Sequence, residues 1–459
     1  MAEEALVFLE EHNLFLKDVN GDGHTDIIIG GYSYKYQGEQ RIAPENPLTI
    51  WNWNGKDMTL GTTYQWNTTT SSYISCVYAS DADKDENIEI FTGQRVTNQS
   101  TNTYQLSVWS WNGTNLNLKT SQELQRTSIS SIFVSDQDND GINEIITCGR
   151  KTDDTRISAQ LQIWHLNENG LVPQKSIEWC AKKEASSLSV FASEVDKDGL
   201  TEIITCGYDH DLQNSTGQIR LWNWNETDLI LKENQEWQMT EGQALNIAGS
   251  VMGNTIANVV KASDIDGDGF PEIVTGGFTY DGTHANAELS VWRWNEGKLV
   301  RVDESNWYTQ DVNEVKSLEI EDVDGDGKEE IVACGFFGNP TVWPEPANTL
   351  AQLRIWSWDG TNLDLKYSQD WVVDDSATAW TVKTGDIDND GVTEIVSVGC
   401  IYLNSECDPD MRVWSIAEAA PEPQNSSGTF VVGTETAITI IAVACVIVAF
   451  AYWIHKKRK

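Results

Sequence analysis

One acidic loop recurs seven times along this chain, opening at Asp18, Asp81, Asp136, Glu194, Asp264, Asp322 and Asp386. Each copy sets carboxylate or amide side chains at its positions 1, 3, 5 and 9. The first offers Asp18, Asn20, Asp22 and Asp26, the second Asp81, Asp83, Asp85 and Glu89, and the third Asp136, Asp138, Asp140 and Glu144. The fourth offers Glu194, Asp196, Asp198 and Glu202, and the fifth Asp264, Asp266, Asp268 and Glu272. The last two offer Asp322, Asp324, Asp326 and Glu330, then Asp386, Asp388, Asp390 and Glu394. Oxygen donors at that spacing let a short loop fold around one hard cation, so Ca²⁺ is expected, up to seven ions in all. An EF-hand would finish on a bidentate Glu at position 12. Here position 12 is Ile29, Thr92, Thr147, Thr205, Thr275, Ala333 or Ser397, and none supplies a carboxylate.

After each loop comes a β-branched run closed by a small residue, glycine in copies such as Ile27 to Gly31 or Ile273 to Gly277. Such runs are strands, which makes each loop the tip of a β-hairpin. The loops open 55 to 70 residues apart, a period that signals a repeat architecture. Within a repeat, a third strand carries alternating aromatics: Trp51/Trp53, Trp109/Trp111, Trp222/Trp224, Trp292/Trp294 and Trp356/Trp358, with weaker forms at Trp164/Leu166 and Trp414/Ile416. Residues two apart share a strand face, so these pairs are expected to pack repeat against repeat. Tight-turn pairs such as Asn54-Gly55 and Asp359-Gly360 then announce a fourth strand. Four antiparallel strands repeated seven times predict an all-β, seven-bladed β-propeller over residues 1–416. The seventh repeat ends at its third strand, Met411 to Trp414, so the segment Ala5 to Leu9 is expected to supply the missing strand and close the ring.

With these loops in hairpin context, the chain resembles the FG-GAP or VCBS-type repeat propellers, the group that includes the integrin α-subunit head. The resemblance covers roughly residues 1 to 416, without the literal Phe-Gly and Gly-Ala-Pro signatures. It implies that the cation loops join first and second strands on one face, while ligands meet the opposite face. The loops expected there carry Tyr34, Tyr208, His210, Tyr280, Phe337, Trp343 and Tyr402, aromatic types that suit a protein or glycan partner.

The fullest cation sites are expected in repeats one, three, five, six and seven. Repeat two has Glu86 where the others have glycine, and repeat four opens on the longer Glu194, so these two rank lower. The candidate ligands include 27 of the chain's 70 acidic residues. Carboxylates crowded together need a divalent cation to neutralise them. A formal charge of −39 argues against nucleic-acid binding, since no basic stripe exists to meet phosphates.

Residues 417–435 read as a flexible stalk and Thr436 to Ile454 as a charge-free transmembrane helix, followed by the basic tail of residues 455–459. The positive-inside rule places that tail in the cytoplasm and the propeller outside. Six sequons, at Asn67, Asn98, Asn112, Asn214, Asn225 and Asn425, suit export and glycosylation. No hydrophobic signal segment opens the chain, which keeps a cytosolic tail-anchored protein as the alternative. Cys148, Cys206 and Cys334 are expected as buried thiols, and Cys400 with Cys407 as a candidate disulfide. Scattered histidines and the lack of hydrolase or phosphate-loop motifs speak against an enzyme. The leading expectation is a calcium-stabilised cell-surface propeller for adhesion or ligand recognition. A structural envelope component comes second and a glycan-active enzyme third.

Overall fold

The computed structural model describes residues 13–416 apart from 32–34, 38–39, 43–47, 56, 65–69, 99–100, 212–213, 239–244, 248–249, 254, 281–283, 310–311, 339–348, 374–375 and 404–405. Its regular structure is all-β. The expected ring-closing segment Ala5 to Leu9, the stalk and the span at 436–454 lie outside the described residues. Among the described residues no helix is long and apolar enough to cross a membrane.

The strands pair antiparallel in successive units. In the third, Thr127–Ser135 pairs with Glu144–Thr152, that strand with Ile157–Asn167, and the last with Gly170–Trp179. The fourth unit repeats the order with Glu184–Ser193, Glu202–His210, Ser215–Trp224 and Leu229–Trp237. The final unit shows three strands, Ser376–Gly385, Glu394–Leu403 and Glu406–Trp414. In every unit the acidic loop joins the first strand to the second, as in Asn13–Lys17 with Asp26–Gly30.

Equivalent residues of the first strands meet around a common axis. Phe15 stacks on Tyr78 with ring centres 4.6 Å apart, Tyr78 on Phe133 at 5.5 Å, and Phe133 on Phe191 at 4.8 Å. Lys261 then lies over Phe191 at 5.2 Å and Lys383 over Phe15 at 5.7 Å. Both lysines bind Glu319, Lys261 at 2.9 Å. Burial opposes the charge of Glu319, yet the two lysines outweigh it and hold its pKa below the usual range. Burial likewise brings Lys261 down to about 8. Four aromatics and a Lys–Glu–Lys bridge thus complete a circuit in which the last unit touches the first. The architecture is β-propeller-like.

Between units the tryptophans pack as their spacing implies. Four third-strand tryptophans receive a tryptophan from the end of the preceding unit's fourth strand: Trp179 on Trp222, Trp237 on Trp292, Trp307 on Trp356 and Trp371 on Trp414, at 5.0 to 5.5 Å. Tyr64 meets Trp109 in the same way at 4.6 Å. Within a unit the indole N–H is anchored by the residue at loop position 12. Trp109, Trp164, Trp222 and Trp292 donate to Thr92, Thr147, Thr205 and Thr275, and Trp414 donates to Ser397, at 2.9 to 3.0 Å.

The second strands need glycine opposite a bulge in the first. A Cβ on Gly277 would stand 1.9 Å from the Ile256 carbonyl oxygen, and register shifts between Ala257 and Val259 at that point. Beside this glycine position sit Cys148, Cys206 and Cys334, free and buried as expected. Cys400 is disulfide-bonded, and the side chain of Cys407 lies outside those described.

Two units lack this anchor: the first has Ile29 at position 12 and its Trp51 donates instead to Thr49 at 2.9 Å, while the sixth offers its indole no substitute. Ala333 replaces threonine, and the indole nitrogen of Trp356 is buried with no hydrogen-bond partner. Ala333→Thr is expected to stabilise the protein by about 1 kcal/mol, the typical net gain of one buried hydrogen bond. Urea unfolding followed by tryptophan emission measures this, and an unchanged or lowered midpoint counts against the anchor.

Candidate metal centres

Three hydrogen bonds recur in every loop and set its shape. The carboxylate at position 1 accepts the backbone N–H of position 6 at 2.8 to 3.0 Å, as in Gly23 to Asp18 and Gly327 to Asp322. The carboxylate at position 5 accepts the N–H of position 7 at 2.7 to 2.9 Å. The acid at position 9 reaches back from the start of the second strand to the N–H of position 2, at 2.8 to 3.2 Å. Each of these carboxylates therefore has one oxygen tied to the backbone by its recurrent bond, and in the first, second, sixth and seventh loops the other oxygen of the position 1 acid accepts a backbone N–H as well.

The result is a set of compact acidic cages. Asp81, Asp83 and Asp85 each bring an oxygen within 4.8 Å of the others, as do Asp136, Asp138 and Glu144. So do Asp196, Asp198 and Glu202, then Asp264, Asp266 and Glu272, then Asp322, Asp324 and Glu330. Asp136 Oδ1, Asp264 Oδ1 and Asp388 Oδ1 are buried without a hydrogen-bond partner. In the third and seventh loops an all-oxygen set containing such an atom fits a hard cation such as Ca²⁺.

The position 9 acids are buried, at most 5% exposed. Desolvation raises the pKa of all seven. Asp26 is pushed up to about 6 and Glu330 and Glu394 to about 7, with the neighbouring loop carboxylates adding to the effect of burial. In the other four units a basic side chain or imidazole adjoins the acid. Lys119 bonds Glu89 at 2.6 Å, and His165 lies 3.0 Å from Glu144. Lys232 spans Asp196, Asp198 and Glu202 at 2.5, 3.0 and 2.7 Å. Arg293 spans Asp266, Asp268 and Glu272.

On its ligands alone repeat five ranks among the fullest cation sites, and the arginine changes that reading. Arg293 sits between Trp292 and Trp294, and Lys232 on the strand after Trp222/Trp224. Both lie outside the loops, where attention to the ligand pattern passes over them. In repeat two the expected backbone tension is present: Glu86 takes a φ of 70°, a left-handed value that favours glycine. Glu194 compensates for its extra methylene and still accepts the Gly199 N–H at 2.8 Å.

Three stretches match the model of the FG-GAP-like repeat, residues 18–92, 264–333 and 322–397. The chain carries FG-GAP-like repeats. Each match runs from position 1 of one loop to position 12 of the next. The loops at Asp136 and Glu194 fall outside the matched stretches, yet they reproduce the same three hydrogen bonds. No curated protein matches the chain.

At the other end of the FG-GAP-like units, where partner-binding aromatics were expected, the side chains divide. Phe337 and His210 are buried, 5% and 8% exposed, because the strands that carry them continue into the sheet, so neither is presented to solvent. Tyr208 is half-buried, its hydroxyl 3.5 Å from Glu184, and burial pushes its pKa up to about 12. Tyr280 is half-buried too. Tyr34, Trp343 and the side chain of Tyr402 lie outside those described.

The raised acids set a pH dependence with a definite sign. A carboxyl whose folded pKa exceeds its unfolded value gives stability that is complete below the unfolded pKa and is lost as pH rises through the folded one. For Asp26, Glu330 and Glu394 that window runs from about 4 to about 7. Chelator-treated protein is therefore expected to melt at a higher temperature at pH 5 than at pH 7.5, and Ca²⁺ to bind more tightly at pH 7.5. Calorimetry across this range tests both, and a metal-free melting temperature that climbs with pH contradicts the assignment.

Proposed function

We propose that this chain is a seven-bladed propeller whose blades are stapled by Ca²⁺ and which is held on the outer face of a membrane to recognise an extracellular protein or glycan. The observation that carries the calcium part is the recurrence, in all seven loops, of one buried carboxylate tied to position 2 beside the acids of positions 1, 3 and 5, which in five loops gather as close clusters. Extracellular calcium modules work at roughly 10⁻⁴ to 10⁻³ M, and loops of this exposure suit that range. Metal bound to the folded state alone raises its stability by mass action. The protein is expected to melt at a clearly higher temperature in millimolar Ca²⁺ than in EGTA, with Mg²⁺ a poor substitute because it demands a tighter octahedral shell. Equal melting curves for verified metal-free and calcium-loaded protein remove this part of the reading.

Membrane display rests on the apolar stretch from Thr436 to Ile454 and the basic residues after it. The segment Ala5 to Leu9 would complete the seventh blade, leaving no open sheet edge near the stalk. The propeller would then bind rather than catalyse, using the loop face opposite the cages, where His284 stacks on the 40%-exposed Tyr308. Intact cells expressing the chain with an export signal are expected to lose the propeller to external protease while a tag after Lys459 stays protected. Exposure of the tag with protection of the propeller reverses the topology and ends the surface-recognition reading.

A further inference from the structure

Basic residues reach the cages from two places in the repeat. One is the residue between the two aromatics of the third strand: Asn52, Ser110, His165, Asn223, Arg293, Ser357 and Ser415 in chain order. The other is the residue left unpaired by a bulge in the fourth strand, which is Gly61, Lys119, Gln174, Lys232, Val302 or Lys366. A bulge re-aims the side chain it carries, toward the acidic loop for Lys119 and Lys232.

In two units the incoming cation engages three carboxylates at once. Lys232 Nζ contacts Asp196, Asp198 and Glu202, and Arg293 contacts Asp266, Asp268 and Glu272, with its Nε 2.6 Å from Glu272 Oε1. Both are backed by the next unit's second tryptophan, Lys232 over Trp294 at 5.5 Å and Arg293 over Trp358 at 6.0 Å. Each cation is mostly covered, 18% and 25% exposed on its side chain. Acids at positions 3, 5 and 9 thus already share a covalently attached positive charge with an aromatic lid. By contrast Lys119 meets Glu89 closely but Asp83 only at 3.8 Å.

From this geometry we infer that the fourth and fifth cages are closed to divalent cations, Lys232 and Arg293 serving there as permanent internal counter-ions. The inference rests on the calcium reading of the remaining cages only for its contrast. A divalent ion would have to share three ligands with a positive charge a few ångströms away, and displacing Arg293 would strip it of partners in a partly buried site. Arginine cannot shed its proton to make room. The chain would therefore hold two kinds of blade, one whose loop is set by solution Ca²⁺ and one whose loop is set by its own sequence.

The test replaces each cation by the residue that other units carry at the same place: Arg293→Ser, as in Ser357 and Ser415, and Lys232→Gln, as in Gln174. Lys366→Gln, on the corresponding bulge of the sixth unit, is the control. Bound Ca²⁺ per full-length chain is measured by equilibrium dialysis at saturating Ca²⁺, and melting in EGTA by calorimetry. Each of the two variants is expected to bind one more ion than the parent and the double variant two more, while Lys366→Gln gains none. Both should melt lower than the parent in EGTA and recover part of the loss in Ca²⁺. A parent protein that binds seven ions overturns the inference and leaves the calcium reading intact. So does a parent that binds fewer, if neither variant gains an ion. A parent that binds none, with a gain of one in each variant, removes the calcium reading of the other cages and upholds the inference. If Arg293→Ser does not fold, the Lys232→Gln gain and the parent stoichiometry decide.

Discussion

Crowded negative charge is the constraint to which the rest of this molecule answers. Two carboxylates about 4 Å apart repel by about 4 kcal/mol at an effective dielectric of 20. Three in one cage bring that to on the order of 10 kcal/mol, as large as the net stability of a typical domain. Backbone N–H groups at positions 2, 6 and 7 offset part of it by donating to the acids at positions 9, 1 and 5. The remainder must be removed by a proton, an attached cation or a bound ion. The two routes visible in the structure divide by unit. Asp26, Glu330 and Glu394, whose cages receive no basic ion pair among the described residues, are the position 9 acids with the largest upward shifts. Where Lys232 or Arg293 enters, part of the charge is offset by the chain itself.

Sevenfold likeness ends at the axis. The same first-strand position holds Phe15, Tyr78, Phe133 and Phe191, then Lys261, Glu319 and Lys383. Aromatic contact would suffice around the whole circle. Three charges in its place cost desolvation, and a buried ion triad is weak evidence for added stability. What it does provide is polarity of order: Lys261 and Lys383 share Glu319 only if the sixth unit stands between the fifth and the seventh. A unit inserted or omitted would leave a buried charge unpaired.

Much of this was legible in the chain. Loop spacing, the β-branched runs and the tryptophan pairs point to the strand order and the packing of repeat on repeat, because those features are local and repeat in register. The hidden parts are those that join distant positions. Threonine at position 12 could be noticed as a missing EF-hand ligand, but its use becomes clear only when a tryptophan seventeen residues on donates to it. The tryptophan closing the fourth strand in units three to six, Trp179, Trp237, Trp307 or Trp371, is as plain in the sequence as the third-strand pairs. It acts on the following repeat, though, so a pattern read within one repeat overlooks it. Arg293 is a single substitution against asparagine, serine or histidine elsewhere, and only its side-chain path reveals that it enters a cage. Phe337 and His210 misled for the opposite reason: as sequence they sit where a loop begins, while in the fold they still belong to the strand.

The acidic loops are not seven independent features, because in four of them the residue at position 4 ties the loop to the next. Lys84 of the second loop lies 3.4 Å from Asp136, which opens the third. Asn139 donates to the carbonyl of Gly199 at 3.2 Å, Lys197 sits 3.5 Å from the centre of the Phe270 ring, and Asn389 donates to the carbonyl of Gly23. All four take positive φ values, 58° to 62°, where glycine stands in the first, fifth and sixth loops. A left-handed conformation costs a residue other than glycine on the order of 1 kcal/mol. In these loops that cost is met where the side chain reaches a neighbour, so strain in one loop is compensated across the boundary in another. Lys84 goes further, since it touches an acid of the next cage. Whatever neutralises Asp136 therefore also changes the electrostatic setting of the loop that Lys84 belongs to, and the links between loops carry charge as well as shape.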